Sequence, residues 1–177
     1  MSEILTLDTY TPQALSTALP TALSFDYVAP GLVAEVGELY GVEAKAVRDD
    51  WDRDRYRTAL VKELGDVAWF LALTLHLSDE YVDQGSRELA ETIDQDETSD
   101  PLGYLLVRAR NVHSYASMFN PLGYWLSYSE AWTAWHFLAR HSQKICGLPW
   151  SEVLQANVDK LASRAARNAL QGSGDDR

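Results

Sequence analysis

The sequence predicts an all-α protein. Apolar residues recur at helical spacing through most of the chain, and strictly alternating runs of Val, Ile and Thr are absent. A chain of 177 residues, of which 46% are hydrophobic, is long enough to bury one core. We therefore expect a single helical domain over residues 1–171 and a disordered tail over residues 172–177.

The first half of the chain predicts three helices. The short first helix follows Thr11, which can cap it with Pro12 in the first turn. The second helix begins at Pro30, or near Phe25 with Pro30 at a bend. The two long helices and the charged connection between them are expected over residues 30–50, 58–78 and 50–57, respectively.

Turn and helix-stop residues divide the second half of the chain. Pro101 opens one helix, Asn120 with the Pro and Gly that follow it marks a turn, and Gly147 stops another helix. The acidic run over residues 94–100 predicts an exposed loop. Helices are expected over residues 79–94, 101–119 and 128–146, and from residue 151 to a point before residue 172.

Charge and hydropathy argue against several classes of protein. The net charge of −11 repels nucleic acid, so binding of a nucleic acid polymer is not expected. The longest nearly apolar stretch, Val67 to Leu77, is far shorter than the roughly 20 residues of a membrane-spanning helix. The single cysteine, Cys146, cannot form an internal disulfide and fits a reducing compartment. We expect a cytoplasmic protein without membrane contact.

Two predicted helices carry acidic pairs within apolar sectors. Glu63 and Asp66, three residues apart, lie about 60° apart on the helical wheel. Their helix is apolar on nearly all sides, so it should be buried. Glu35 and Glu38 have the same spacing at the flank of the apolar face of the preceding helix. One such pair is usually a solvated face, but two pairs in apolar sectors favour convergence on Mg²⁺ or Mn²⁺, which prefer oxygen ligands.

The last predicted helix supplies candidate ligands for phosphate. Asn157, Lys160 and Arg164 share one stripe because they are spaced i, i+3 and i+7. Lys and Arg side chains suit phosphate oxygens, and Asn adds an amide donor. Lys45, seven residues after Glu38, is a further candidate on the acidic helix. The alternative is an exposed helix whose terminal cations interact only with its dipole.

Three segments of the chain resemble the MazG-like family of all-α nucleoside triphosphate pyrophosphatases. They are GLVAEVGELYGVEAKAVRDD at 31–50, KELGDVAWFLA at 62–72 and LPWSEVLQANVDKLASR at 148–164. The family pattern is ExxE, followed by ExxD on a second helix and Asn-x-x-Lys-Leu on a later one. Here the four acids of the pattern are Glu35, Glu38, Glu63 and Asp66. Each motif alone is weak, but the three in this order are specific.

The resemblance implies a helical bundle in which these four acids are the catalytic residues and the ligands of Mg²⁺, with Mn²⁺ able to replace it. It implies hydrolysis of (deoxy)nucleoside triphosphates to monophosphate and pyrophosphate, by attack of metal-activated water on the α-phosphorus. Asn157, Lys160 and Arg164 match the phosphate and nucleotide contacts of the family. A homodimer or homotetramer is also implied. Compact relatives lack the extra helical insertion that we expect here at about residues 79–128.

The same residues are compatible with functions other than the hydrolysis of nucleoside triphosphates in general. A narrower pyrophosphatase for dUTP or dCTP, or an alarmone hydrolase, would share the acidic pairs, because specificity depends on the base pocket. A non-catalytic metal-binding bundle is the alternative outside enzymes. A group of aromatic residues in and after the insertion predicts either a core or subunit interface, which we favour, or a wall on which a base stacks. Its members are Tyr115, Phe119, Tyr124, Trp125, Tyr128, Trp132 and Trp135.

Overall fold

The computed structural model describes residues 5–85, 87–88 and 98–167. Within these ranges the protein is all-α and has no β-strand, as the sequence predicts. The α-helices of which both ends are described are α1 (Leu7–Thr17), α2 (Phe25–Arg48), α3 (Arg53–Ser78), α4 (Pro101–Ala116), α5 (Pro121–Cys146) and α6 (Trp150–Ala166). No helix in the described ranges is long and apolar enough to cross a membrane.

Four of the helices form a closed ring. α2 packs against α3, α3 against α5, α5 against α4, and α4 against α2. α1 and α6 lie outside the ring, where both contact α3 and each other. α3 therefore has four helical neighbours, and half of its residues are buried. This burial confirms the expectation drawn from its nearly continuous apolar surface.

The first two helices begin earlier than the position of their prolines suggests. α1 begins at Leu7 with Thr6 as its N-cap, so Pro12 lies inside the helix rather than in its first turn. The prediction that α1 follows residue 11 was wrong because it used the proline as the start signal. α2 begins at Phe25 and contains Pro30, which agrees with the second of the two expected arrangements.

Polar caps set the starts of α3 and α5. The Asp52 carboxylate accepts a hydrogen bond from the backbone N–H of Arg55 at 2.8 Å. The Asn120 side chain accepts one from the backbone N–H of Gly123 at 2.9 Å. These caps satisfy N–H groups that have no partner within the helix. Both helices therefore extend further towards the N-terminus than their hydrophobic periodicity indicates.

The remaining boundaries follow the sequence signals where they are described. Pro101 opens α4, and Gly147 ends α5 with a φ of 74°, a left-handed conformation that favours glycine. The helix expected over residues 79–94 is described only in part: Asp79–Tyr81 form a 3₁₀ turn, and residues 84–85 and 87–88 are helical. The rest of that helix, most of the acidic loop and the expected tail lie outside the described residues.

The aromatic group contributes mainly to the interior of the bundle. Tyr128 and Trp135 are buried, and Trp125 and Trp132 are partly buried against the hydrophobic core. Phe119 is the clear exception, with 65% of its surface exposed. α4 and the first turns of α5 fall within the segment expected as an insertion, so this segment supplies part of the ring.

Gly65 allows α6 to approach α3 closely. A Cβ atom at this position would lie 2.8 Å from Cβ of Asn157, too close for two carbon atoms. The absence of a side chain therefore lets Asn157 lie beside the acidic face of α3. Gly37, the glycine of the other acidic motif, has no atom within 4 Å of the equivalent position.

Substitution of Gly65 by Ala should lower the stability of the protein. The added methyl group overpacks the contact between α3 and α6, at a cost of about 1–3 kcal/mol. Gly37→Ala is the matched control, because it brings the same gain in helix propensity, about 1 kcal/mol, without a clash. Thermal and urea unfolding should show a lower midpoint for Gly65→Ala and a higher one for Gly37→Ala. Equal stabilisation by both substitutions would contradict the close packing at Gly65.

Candidate metal centre

Three carboxylates from two helices meet where α2 packs against α3. One oxygen each of Glu35, Glu63 and Asp66 lies within 4.8 Å of the other two. Glu63 is buried, and the other two residues are partly buried. The spacing of three residues on α3 places its two acids on the same side of the helix, and the packing of α2 brings in the third.

Asp66 is bound by two side chains from α6. The ammonium group of Lys160 donates to both carboxylate oxygens and lies 2.5 Å from Oδ2. The side-chain amide of Asn157 donates to Oδ1 at 3.1 Å. About a fifth of each side chain in the ion pair is exposed, 21% for Lys160 and 19% for Asp66. Two of the four residues expected to bind the substrate, Asn157 and Lys160, therefore also hold a candidate metal ligand.

Asn157 in turn is held by Tyr10 of α1. The Tyr10 hydroxyl donates to Oδ1 of Asn157 at 2.7 Å, and both side chains are buried. Burial, together with the negative charge of Asp66, raises the pKa of Tyr10 above its ordinary value, so the phenol stays protonated. Sequence reasoning missed this residue because it placed Tyr10 before the start of the first helix.

The cluster raises the pKa of one of its own members. Burial, together with the charges of Asp66, Glu38 and Glu63, raises the pKa of Glu35 to about 8, although the charge of Lys160 acts in the opposite direction. The ionised form of Glu35 is therefore disfavoured in the folded protein. A divalent cation fits this cluster because it would replace the proton, and a set of only carboxylate oxygens suits Mg²⁺ or Mn²⁺.

Three residues expected at the site lie further out. Glu38 is exposed and is not one of the three clustered carboxylates, although its charge affects Glu35. Lys45 is exposed, ten residues after Glu35 on the same helix, which corresponds to about 15 Å along the axis. Arg164 is partly buried, one turn beyond Lys160 on α6.

A second lysine, Lys62, lies near the cluster. Lys62 directly precedes Glu63, so on a helical wheel it points away from the acidic pair. Its Nζ atom lies 3.8 Å from Oε1 of Glu63, and 31% of its side chain is exposed. A long, flexible side chain can turn back to a neighbouring acid, and a helical wheel does not represent this reach.

Comparison of the chain with protein-family models, with curated proteins and with solved structures found no match. The MazG-like resemblance therefore remains an expectation from three sequence motifs. The site itself offers three carboxylates, one amide and one ammonium group.

The raised pKa of Glu35 predicts a pH-dependent loss of stability in the absence of metal. Unfolding restores the ordinary pKa of 4.5, so the folded state binds more protons than the unfolded state between pH 4.5 and about 8. Stability should fall as the pH rises through this window. Glu35→Gln stays neutral, so in chelator it should be more stable than the wild type at pH 8, by at least about 1 kcal/mol, and similar at pH 4.5.

Thermal unfolding at intervals from pH 4.5 to pH 8 measures this difference. Glu43→Gln is the control, because Glu43 is an exposed acid on the same helix. Its unfolding curve should run parallel to that of the wild type. If the curve for Glu35→Gln were also parallel to that of the wild type, the carboxyl group of Glu35 would not be the source of the pH dependence.

Proposed function

We propose that the protein is a Mg²⁺-dependent nucleoside triphosphate pyrophosphohydrolase that converts (deoxy)nucleoside triphosphates to monophosphates and pyrophosphate. The observation that carries this proposal is the cluster of Glu35, Glu63 and Asp66, within 4.8 Å of one another and joined to Lys160. The order of the MazG-like motifs supplies the class of reaction. The cluster supplies a place where a cation and a phosphate chain would meet.

The carboxylates account for metal binding in this proposal. Glu35, Glu63 and Asp66 hold Mg²⁺ or Mn²⁺, and Glu38 at the exposed rim is the fourth candidate ligand. Glu35 must lose its proton when the metal binds, so affinity should increase with pH. The bound metal supplies positive charge to the triphosphate oxygens and lowers the pKa of water.

The side chains of α6 account for binding of the phosphates. Lys160 has three N–H groups, and a cation that neutralises Asp66 leaves them available for phosphate oxygens. Asn157 stays with Asp66 and keeps that carboxylate in one orientation. Arg164 lies one turn further along the stripe that contains Lys160, where it extends the positive charge towards the departing pyrophosphate. Lys45 is too far along α2 to contact the same metal and is a candidate for the far end of the substrate.

The same cluster is compatible with a narrower substrate specificity and with a homo-oligomeric assembly. A dUTP or dCTP pyrophosphatase and an alarmone hydrolase would differ from the main proposal in the base pocket rather than in the acids. A homodimer or homotetramer is part of the proposal, and light scattering measures it. A non-catalytic bundle is less favoured, because burial and the neighbouring acids raise the pKa of Glu35 and thus oppose folding above pH 4.5.

Release of pyrophosphate is the direct test of the proposal. Standard and modified NTPs and dNTPs are incubated with the protein and Mg²⁺, Mn²⁺ or chelator, and both products are measured. We expect metal-dependent monophosphate and pyrophosphate from one or more nucleotides. Glu63→Gln and Asp66→Asn should each lower kcat/KM by more than about 100-fold, a larger loss than removal of an outer hydrogen-bond partner causes.

Asp159→Asn is the matched control for these variants. Asp159 is an exposed acid next to Lys160 on α6, and its carboxylate accepts a hydrogen bond from Gln155. The control should keep kcat/KM near the wild-type value, and circular dichroism should show that all variants are helical. Release of phosphate instead of pyrophosphate would move the cleavage to another bond. No turnover by folded, metal-loaded protein would favour the non-catalytic bundle.

A non-hydrolysable nucleotide separates the enzyme from the structural bundle without turnover. An analogue with a methylene group between the α- and β-phosphorus should raise the melting temperature in the presence of Mg²⁺. Ligand at 100 times its Kd stabilises the folded state by about 2.7 kcal/mol through mass action. Asp66→Asn should lose this shift. A nucleotide-independent melting temperature in the wild type would contradict the proposed substrate.

A further inference from the structure

A continuous chain of hydrogen bonds leads from α1 to the acidic cluster. The hydroxyl of Tyr10 donates to Oδ1 of Asn157 at 2.7 Å, and Nδ2 of Asn157 donates to Oδ1 of Asp66 at 3.1 Å. Tyr10 is 0% exposed and Asn157 is 3% exposed. Water therefore does not compete for these groups, and each depends on its protein partner.

The chemistry of Asp66 fixes the direction of this chain. A carboxylate paired with an ammonium group only accepts hydrogen bonds, so the NH₂ end of the Asn157 amide faces it. The carbonyl end then faces Tyr10, whose hydroxyl must donate. Without that hydroxyl, the carbonyl oxygen of Asn157 would be buried next to a phenyl ring, and the amide would lose the contact that distinguishes its two orientations.

Tyr10 is held in place by contacts that do not involve its hydroxyl. Its ring packs against Trp135 of α5, with 5.8 Å between the ring centroids. α1 is also fastened to α3, because the indole N–H of Trp69 donates to the backbone oxygen of Ala14 at 3.2 Å. Removal of the hydroxyl alone should therefore leave the helix docked and change mainly the amide of Asn157.

We propose that Tyr10 is a positioning residue for the metal centre, acting through Asn157 on the orientation of Asp66. Partners that hydrogen-bond to metal ligands commonly set the orientation of the ligand, and their loss costs metal affinity. Asn157 is such a partner of Asp66, and Tyr10 holds Asn157. This role rests on the proposed function only in requiring that the acidic cluster binds a divalent cation.

The test measures affinity for Mn²⁺ by calorimetry at a temperature where every variant is folded. Tyr10→Phe should bind Mn²⁺ about tenfold more weakly than the wild type, the low end of the loss typical for such partners. Tyr56→Phe is the matched control, because the Tyr56 hydroxyl likewise donates to a side-chain oxygen, Oε1 of Glu43, at 2.7 Å. The control should bind Mn²⁺ like the wild type.

A double-mutant cycle with Asn157→Ala distinguishes positioning from general support. If Tyr10 acts through Asn157, Tyr10→Phe should cause no further loss of Mn²⁺ affinity once the amide is absent. A hydroxyl that only stabilises the docking of α1 would lower the affinity by the same factor in both backgrounds. Additive losses would therefore overturn the proposal.

The remaining outcomes separate this role from the proposed reaction. Wild-type affinity in Tyr10→Phe, together with pyrophosphate release by the wild type, overturns the positioning role and leaves the proposed function intact. Weaker, non-additive Mn²⁺ binding without turnover of any nucleotide supports the positioning role and contradicts the reaction. A wild-type protein that binds no Mn²⁺ overturns the positioning role together with the metal centre.

Discussion

α3 is largely buried although it carries two acids, Glu63 and Asp66. The arrangement of the site depends on this constraint. Four helices cover α3, so neither acid has full access to water. The neighbours must therefore supply partners, and α6 does so with an ammonium group and an amide on Asp66. α2, by contrast, supplies a third carboxylate, that of Glu35. Because this group has the same charge as Asp66, the ion pair of Asp66 and Lys160 becomes part of an acidic cluster that favours a cation.

A second polar cluster in the same molecule shows what structural pairing looks like here. Between α4 and α5, Arg108 donates to Glu130 at 2.9 Å, and Asn111 donates to the other carboxylate oxygen at 3.1 Å. One acid meets a guanidinium group and an amide, and no other carboxylate is part of these bonds. In the cluster of α2 and α3, by contrast, burial and the surrounding acids raise the pKa of Glu35 to about 8. A buried carboxylate that is placed among like charges costs stability, whereas the carboxylate of Glu130 is matched by a guanidinium group.

Periodicity predicted the parts of the site that lie within one helix. The all-α class, the burial of α3 and the pairing of Glu63 with Asp66 all follow from spacing, which is a local property. Helix starts were less predictable, because a single polar cap such as Asp52 or Asn120 sets them. The partners of Asp66 could not be predicted from spacing, since Lys160 is 94 positions away along the chain. The family resemblance implies only a phosphate contact for Lys160, and its contact with Asp66 appears only when α6 is packed on α3.

The contact between Tyr10 and Asn157 has a consequence for the synthesis of the protein on the ribosome. These residues are 147 positions apart, and a ribosome adds about 5–20 residues per second. The acids of α2 and α3 are therefore synthesised well before Asn157 and Lys160. Synthesis of the segment between Tyr10 and its acceptor, Asn157, takes roughly 7–30 s. Asp66 therefore has neither its amide partner nor its ammonium partner until the segment that contains Asn157 and Lys160 has been made.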